Sequence, residues 1–161
     1  MNFEIKLPPN PISREEIKAK NKRLFKDDFD KDGILAKTLI FTKMCEPLNS
    51  QELQTNLRNY YKIEFDVNLV KRSLKRLNEL GILNSITSGE IMSMPQHELN
   101  ELYKEIYRKF FLFLDHIPKQ FRRQYNQVNY YWVSNGVGSE YLEWCANILG
   151  FEIIKKEKEN E

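Results

Sequence analysis

The segment from Asp66 to Gly81 constrains the fold most, because it combines a leucine-lined face, a cationic face and a signal at each end. At about 100° per residue, its apolar side chains share one broad face of a helix over residues 67–80. Asp66 can accept hydrogen bonds from the first turn, and Gly81 stands where a left-handed residue is expected. The apolar positions are Val67, Leu69, Val70, Leu74, Leu77 and Leu80, and the polar face carries Asn68, Lys71, Arg72, Lys75 and Arg76.

Positive charge is concentrated on this helix. Four cations and one acid, Glu79, give it a net charge of +3, against +2 for the whole chain. A cationic helix face is typical of a solvated surface, and it also suits a surface that binds a polyanion. The sequence leaves both interpretations open.

A two-stranded ribbon is predicted directly after the helix. Residues 82–87 are rich in β-branched side chains, Ser88-Gly89 is a turn dipeptide, and residues 90–94 supply the return strand. Pro95 ends that strand and suits the first turn of another helix.

Two further helices are predicted upstream. Residues 34–45 are apolar on most sides and too short to span a bilayer, which indicates a buried helix. Asn49 and Glu52 have the spacing of a capping box, and the helix that they begin is amphipathic, with Leu53 and Leu57 facing inward. Helix, helix, cationic helix and hairpin is the element order of a winged helix-turn-helix.

Residues 70–83, VKRSLKRLNELGIL, resemble the third helix and first wing strand of bacterial and archaeal winged-helix regulators. The resemblance covers roughly residues 32–94. In such proteins the third helix enters the major groove of DNA, and the wing touches the backbone or the minor groove. The resemblance therefore implies a DNA-binding set on this helix, on its flank and at the wing tip, composed of Asn68, Lys71, Arg72, Lys75, Arg76, Arg58, Lys62 and Ser88.

The expected wing tip, SITSGE, has no Lys or Arg and includes Glu90. Contact with DNA would therefore depend on the helix, since affinity for phosphates comes mainly from Lys and Arg. A wing without cations favours a second function, in which a winged-helix domain acts as an adaptor or assembly subunit and binds protein.

Residues 96–161 are rich in aromatic side chains and predict long helices. Apolar residues step by three or four from Gln96 to Ile117, and Pro118 then breaks or restarts the helix. The stripe predicts a dimer or partner interface, with packing on the chain's own winged domain as the alternative. Its central members are Tyr103, Ile106, Phe110, Phe113 and Leu114.

The end of the chain predicts one more helix and strand. Ser139 is expected to cap a helix that Gly150 closes, and residues 151–154 follow as a strand. The preceding Asn135–Ser139 loop lacks the context of a nucleotide-binding motif and indicates a turn. A small effector pocket is a third option, lined by Tyr130, Tyr131, Trp132 and Trp144.

The N-terminal arm combines prolines, which keep the chain extended, with a basic helix predicted from about Ile12 to Phe25. This helix is either solvated or a phosphate-binding strip. Asp28–Gly33 matches the first half of an EF-hand loop, but Leu39 stands where a bidentate glutamate is required, so no calcium site is expected.

Patterns for catalysis, cofactors and export do not occur. His97 and His116 have no ligand-spaced partner, and Cys45 and Cys145 have no CxxC neighbour. We therefore expect no enzyme activity, no cofactor, no metal and two thiols of an intracellular protein. A secretory signal pattern is also absent, which favours the cytoplasm, or the nucleoid for a DNA binder.

Together these patterns predict a mainly α protein with a small β-hairpin. The expected segments are an N-terminal arm and helix at 1–31, a winged helix-turn-helix at 32–95 and a helical, aromatic-rich region at 96–161. The expected function is that of a homodimeric transcriptional regulator whose helix 67–80 enters the major groove of double-stranded DNA. The adaptor that binds protein is the alternative.

Overall fold

The computed structural model describes residues 3–20, 32–125 and 127–155. Its helices are α1 (Arg14–Lys20), α2 (Ile34–Cys45), α3 (Ser50–Tyr61), α4 (Val67–Glu79), α5 (Ser88–Ser93), α6 (Glu101–Asp115) and α7 (Ser139–Ile148). Its strands are β1 (Phe3–Lys6), β2 (Leu83–Thr87), β3 (Asn129–Val133) and β4 (Glu152–Lys155), and short 3-10 helices cover Gln96–Glu98 and Lys119–Tyr125. The described chain is mainly helical with small antiparallel sheets, which confirms the predicted α+β class.

The strands form two antiparallel pairs. β1 pairs with β4, with Phe3 opposite Lys155. β2 pairs with β3, with Leu83 opposite Val133. Leu48, between α2 and α3, extends the second sheet: its N–H donates to the carbonyl of Tyr131 at 3.0 Å, and its carbonyl accepts from the N–H of Tyr131 at 2.7 Å. The order across this sheet is therefore Leu48, β3, β2.

Local signals explain the first three long helices. α2 has the predicted bounds and is buried along most of its length, as its apolar sequence requires. At α3 the Asn49 side chain accepts from the N–H of Glu52 at 2.9 Å, and the Glu52 carboxylate accepts from the N–H of Asn49 at 3.2 Å. The predicted capping box is thus confirmed.

The ends of α4 are also as predicted. The Asp66 carboxylate accepts from the N–H of Asn68 at 2.7 Å and from that of Leu69 at 3.3 Å. Gly81 has φ +77°, a left-handed conformation that disfavours a side chain. Val67 and Leu80, at the ends of the predicted apolar face, are 40% and 46% exposed, so the buried stripe is narrower than the sequence predicts.

The predicted ribbon is wrong in its second strand. Residues 88–93 form α5, and β2 pairs instead with β3, far along the sequence. The reason is a second capping box: Thr87 Oγ1 accepts from the N–H of Glu90 at 3.1 Å, and the Glu90 carboxylate accepts from the N–H of Thr87 at 3.2 Å. This box starts a helix where the Ser88-Gly89 dipeptide predicts a turn. Residues 88–128 are hereafter called the insertion.

Other predicted boundaries shift by a few residues. α6 starts at Glu101, where the Asn100 side chain accepts from the N–H of Tyr103 at 2.8 Å, rather than just after Pro95. The prediction that Ser139 caps α7 is wrong, because Ser139 is already helical and Gly138 stands at the cap. The predicted final strand is confirmed as β4. The described part of α1 lies within the helix predicted for residues 12–25, and residues 21–25 lie outside the description.

Two apolar clusters hold these elements together. The main core joins α2, α3, α4 and α7 to one face of the β2–β3 sheet, through Leu83, Tyr131 and Val133. The second cluster lies on the opposite face of that sheet, because side chains alternate along a strand. It consists of Ile86, Ile91, Ile106, Phe110 and Tyr130, so α5 and α6 cover the outer face of the sheet.

The division of the chain at residue 95 does not follow this packing. β2 and β3 lie on opposite sides of that boundary and share a ladder. The main core also takes Ile17 from the N-terminal arm and Leu142 and Phe151 from the C-terminal region. Three predicted segments therefore contribute to one core.

Two other predictions concern membranes and thiols. None of the helices among the described residues combines the length and the apolarity needed to cross a bilayer. Cys45 and Cys145 are free thiols, as expected, with Cys145 buried and Cys45 half-buried.

Candidate nucleic-acid interface

α4 is fixed on the main core by one face and exposes the other. Val70, Leu74 and Leu77 are fully buried beneath it. Ser73 is buried among them; its hydroxyl donates to the carbonyl of Val70 at 2.8 Å and lies 2.8 Å from the hydroxyl of Thr38 on α2. This polar contact within an apolar interface fixes how α4 is rotated against α2, since a buried hydroxyl without a partner is costly.

The exposed side of α4 carries the predicted cationic set. Asn68, Lys71, Arg72 and Lys75 are exposed, whereas Arg76 is half-buried and lies 3.9 Å from Glu79. Within the described residues Lys71 and Lys75 make no ion pair, while Arg72 and Arg76 take part in further intramolecular interactions. Lys71 and Lys75 are therefore the cations best placed to bind an external anion.

A groove of about 730 Å³ runs along this side of α4. Its walls come from the first turns of α3, from α4 and from the β2–β3 sheet. The insertion adds Phe113, near the end of α6, and Gln127 and Val128, just before β3. The residues that line it are Asn49, Ser50, Gln51, Gln54, Val67, Lys71, Lys75, Asn78, Ser85, Phe113, Gln127, Val128, Asn129 and Tyr131. Two lysines and no Asp or Glu occur among these described lining residues, so the groove is positively charged and rich in amide and hydroxyl groups.

The predicted flank contacts, Arg58 and Lys62, lie elsewhere. Both are exposed, but they are at the end of α3, whereas its first turns line the groove. Lys62 is the left-handed residue that ends α3, with φ 59°, and its N–H donates to the carbonyl of Arg58 at 2.9 Å. The structure does not bring these two cations together with Lys71 and Lys75 at the groove.

The prediction that Ser88 is a phosphate contact at a wing tip is wrong. Ser88 is fully buried. Its hydroxyl accepts from the N–H of Val128 at 3.0 Å, and its N–H donates to the carbonyl of Val128 at 2.8 Å. The residue therefore fastens the two ends of the insertion to each other, because the ladder of β2 and β3 continues to this point.

The predicted interface stripe packs on the chain itself. Ile106 and Phe110 are buried in the second cluster, and Tyr103, Phe113 and Leu114 are half-buried against it. The prediction that Ile106 and Phe110 form a dimer interface is wrong, because the β2–β3 sheet of the same chain already covers them. Their positions agree with the alternative, in which the stripe packs on the chain's own domain. The exposed apolar side chains of α6 are instead Tyr107, Phe111 and Leu112.

The predicted effector pocket is not formed by its four residues. Tyr130 and Tyr131 point to opposite faces of β3, and Trp144 is 47% exposed on α7. A different cavity of about 660 Å³ lies between α3 and α6. There Lys109 Nζ donates to the carbonyl of Pro47 and lies 3.4 Å from the Glu52 carboxylate, which holds α6 against the start of α3.

Most of the calcium-like loop lies outside the described residues, which include only Asp32 and Gly33 of it. Asp32 accepts two hydrogen bonds from the Arg14 guanidinium, at 3.0 and 2.7 Å. Among the side chains that the structure describes, no group of three or more potential metal ligands occurs.

The sequence did not indicate that Gln51, Gln54 and Asn78 share a surface with Lys71 and Lys75. Polar residues on two helices become neighbours of one groove only through tertiary packing. The contribution of residues 127–129 was also missed, since it depends on the pairing of β3 with β2.

Comparison of the chain with protein-family models, curated proteins and solved structures gave no match.

Proposed function

We propose that residues 34–133 form a winged helix-turn-helix that binds double-stranded DNA and presents α4 to the major groove. The element order supports this assignment: α2, the bridging residue Leu48, α3, α4, β2 and β3 follow one another as in a winged helix, with Leu48 next to β3 in the sheet. The insertion then occupies the position of the wing loop between β2 and β3.

The observation that carries the proposal is the pair Lys71 and Lys75, exposed along a groove whose described lining has no acid. Neutralising phosphates with such side chains releases counterions and supplies most of the affinity of a DNA-binding protein. Asn68 and Arg72 are exposed on the same helix and are residue types that can read base edges. The first turn of α3 also faces the groove, and a helix N-terminus favours an anion.

The test is a binding titration with a labelled random-sequence duplex between about 50 and 200 mM salt. In the variant Lys71→Ala/Lys75→Ala we expect binding to fall by roughly tenfold or more at low salt. The slope of log affinity against log salt should decrease by up to about one unit per lost phosphate contact.

A matched control removes two positive charges at sites away from the groove. Lys104 and Arg108 on α6 each contact an acid of the preceding turn, Glu101 and Glu105. The variant Lys104→Ala/Arg108→Ala should bind as the wild type does. A wild type without affinity for duplex DNA at low salt would refute the proposed function, and equal losses in both variants would refute the assignment of the groove.

A second candidate function, the adaptor that binds protein, is favoured by the outer face of α6. The rings of Tyr107 and Phe111 are in contact, tilted by 47° with their centroids 4.7 Å apart, and with Leu112 they are between 37% and 56% exposed. Exposed aromatic groups of this kind are common where proteins bind each other. The same titration distinguishes the two candidates, since an adaptor of this type needs no affinity for DNA.

A further inference from the structure

We propose that the 3-10 helix Lys119–Tyr125, hereafter the basic segment, is a second phosphate-binding surface that contacts the DNA strand beside α4. The inference rests on the proposed function and extends it, because it replaces the cation-free wing tip expected from the sequence with a different part of the chain.

Acidic residues and the cations of the basic segment lie in different parts of the insertion. Residues 88–116 contain five acids and three cations. Residues 117–139 contain no Asp or Glu and three cations, Lys119, Arg122 and Arg123. The net positive charge of the insertion is thus confined to the basic segment, whereas residues 88–116 have a net negative charge.

The cations of the basic segment are available to a ligand. Lys119 and Arg123 are exposed, and the described residues include no ion-pair partner for either. Arg122 is half-buried, and its Nε donates to the carbonyl of Ile117 at 3.0 Å. This bond orients the Arg122 side chain without neutralising it. Three cations without an interspersed acid repel one another, and a polyanion relieves that repulsion.

The residues on either side of the basic segment place it close to the groove along α4. The chain leaves the groove at Phe113 and returns to it at Gln127, and both residues line it together with Lys71 and Lys75. Gln127 follows Arg123 by four positions, so their Cα atoms are at most about 14 Å apart. That reach is close to the width of a major groove, about 12 Å. Arg123 is thus held close to the wall of the groove at Gln127, and with α4 in the major groove we expect it to meet the phosphates at the edge of that groove.

The other cations of the insertion, unlike those of the basic segment, each contact a carboxylate of the same chain. Lys104 lies 3.6 Å from Glu101, and Arg108 donates to the carboxylate of Glu105. Lys109 is engaged by Pro47 and Glu52. These three are neutralised within the chain, which leaves the basic segment as the part of the described insertion that is suited to phosphates.

The experiment measures affinity for a duplex of about 25 bp, which offers two turns of major groove, across a range of salt concentrations. In Lys119→Ala/Arg123→Ala we expect binding at low salt to weaken by roughly fivefold to fiftyfold, and the salt slope to decrease by up to about two units. The charge-retaining variant Lys119→Arg/Arg123→Lys should bind as the wild type does. Lys104→Ala/Arg108→Ala, with the same change in net charge, should leave the slope unchanged.

Two failures can be told apart. A wild-type slope in Lys119→Ala/Arg123→Ala, together with a reduced slope in Lys71→Ala/Lys75→Ala, overturns the second surface and leaves the proposed function standing. A wild-type protein that does not bind the duplex overturns both. An equal loss in Lys104→Ala/Arg108→Ala overturns the inference too, because net charge rather than position would then govern binding.

Discussion

Tyr130 links the insertion to the rest of the protein through one side chain. It is fully buried in the second cluster, between β3 and α6, and it also lines the cavity beside Asn49 and Glu52. Burial raises the pKa of its phenol to about 12. The cause is loss of solvation, which disfavours the phenolate.

This shift predicts a loss of stability at alkaline pH. The phenol titrates near pH 10 in the unfolded chain, whereas its pKa in the folded protein is about 12. Between these values only the unfolded chain releases the proton, so the free energy of unfolding falls as pH rises, by roughly 2–3 kcal/mol in total. Tyr130→Phe keeps the ring and should lose that part of the decline when unfolding by denaturant is followed from pH 9 to pH 12. An identical decline in the variant would contradict the prediction.

α4 depends on its Asp66 cap, which also places a negative charge at the N-terminus of the helix that carries Lys71 and Lys75. Asp66 accepts from two N–H groups of the first turn, and Asn68 follows within that turn. The carboxylate stabilises the helix N-terminus. A phosphate that approaches Asn68 or Lys71 is repelled by the same group.

Two substitutions at Asp66 separate these effects. Asp66→Ala removes the cap and should lower the free energy of unfolding by about 1 kcal/mol. Asp66→Asn retains an oxygen that can cap, so its stability should stay close to that of the wild type, while its affinity for duplex DNA at low salt increases. Denaturant unfolding and a DNA titration measure the two effects, and a weaker affinity in Asp66→Asn would contradict the proposed orientation of α4.

The helices could be predicted from the sequence to the extent that their signals are local. Asn49 with Glu52, and Asp66 with Gly81, are encoded within one helix each, and the exposure of Lys71 and Lys75 follows from helical periodicity. The prediction of a return strand at residues 90–94 failed because Thr87 and Glu90 form a capping box, which starts a helix where the sequence also suggests a turn. The groove was not predictable, since it needs β3, which is remote in sequence.

The insertion packs on the β2–β3 sheet through the inner face of α6 and exposes the outer face of that helix. Phe110 is 3% exposed in the second cluster, and Tyr107, three residues earlier on the same helix, is 37% exposed. The two rings are similar in size but differ greatly in burial. Substituting each in turn therefore measures how much the inner face of α6 contributes to stability.

Phe110→Ala should destabilise the protein by about 3 kcal/mol or more, because it leaves a cavity beneath α6. Tyr107→Ala should cost much less, since exposed positions usually change stability by about 0.5 kcal/mol or less. Denaturant unfolding gives both values, and hydrogen exchange of α5 and α6 amides shows whether the insertion opens before the main core. Equal costs for the two variants would mean that α6 is not anchored through its inner face.

The separation of β2 from β3 in the sequence has a consequence for the newborn chain. A ribosome that adds roughly 5 to 20 residues per second needs about 2 to 9 seconds to pass from the end of β2 to the end of β3. Throughout that interval β2 leaves the ribosome before β3 is complete. An unpaired strand can pair with other chains and so promotes aggregation. The early helix at Ser88–Ser93, begun by Thr87 and Glu90, gives the nascent segment a local structure of its own before the ladder can close.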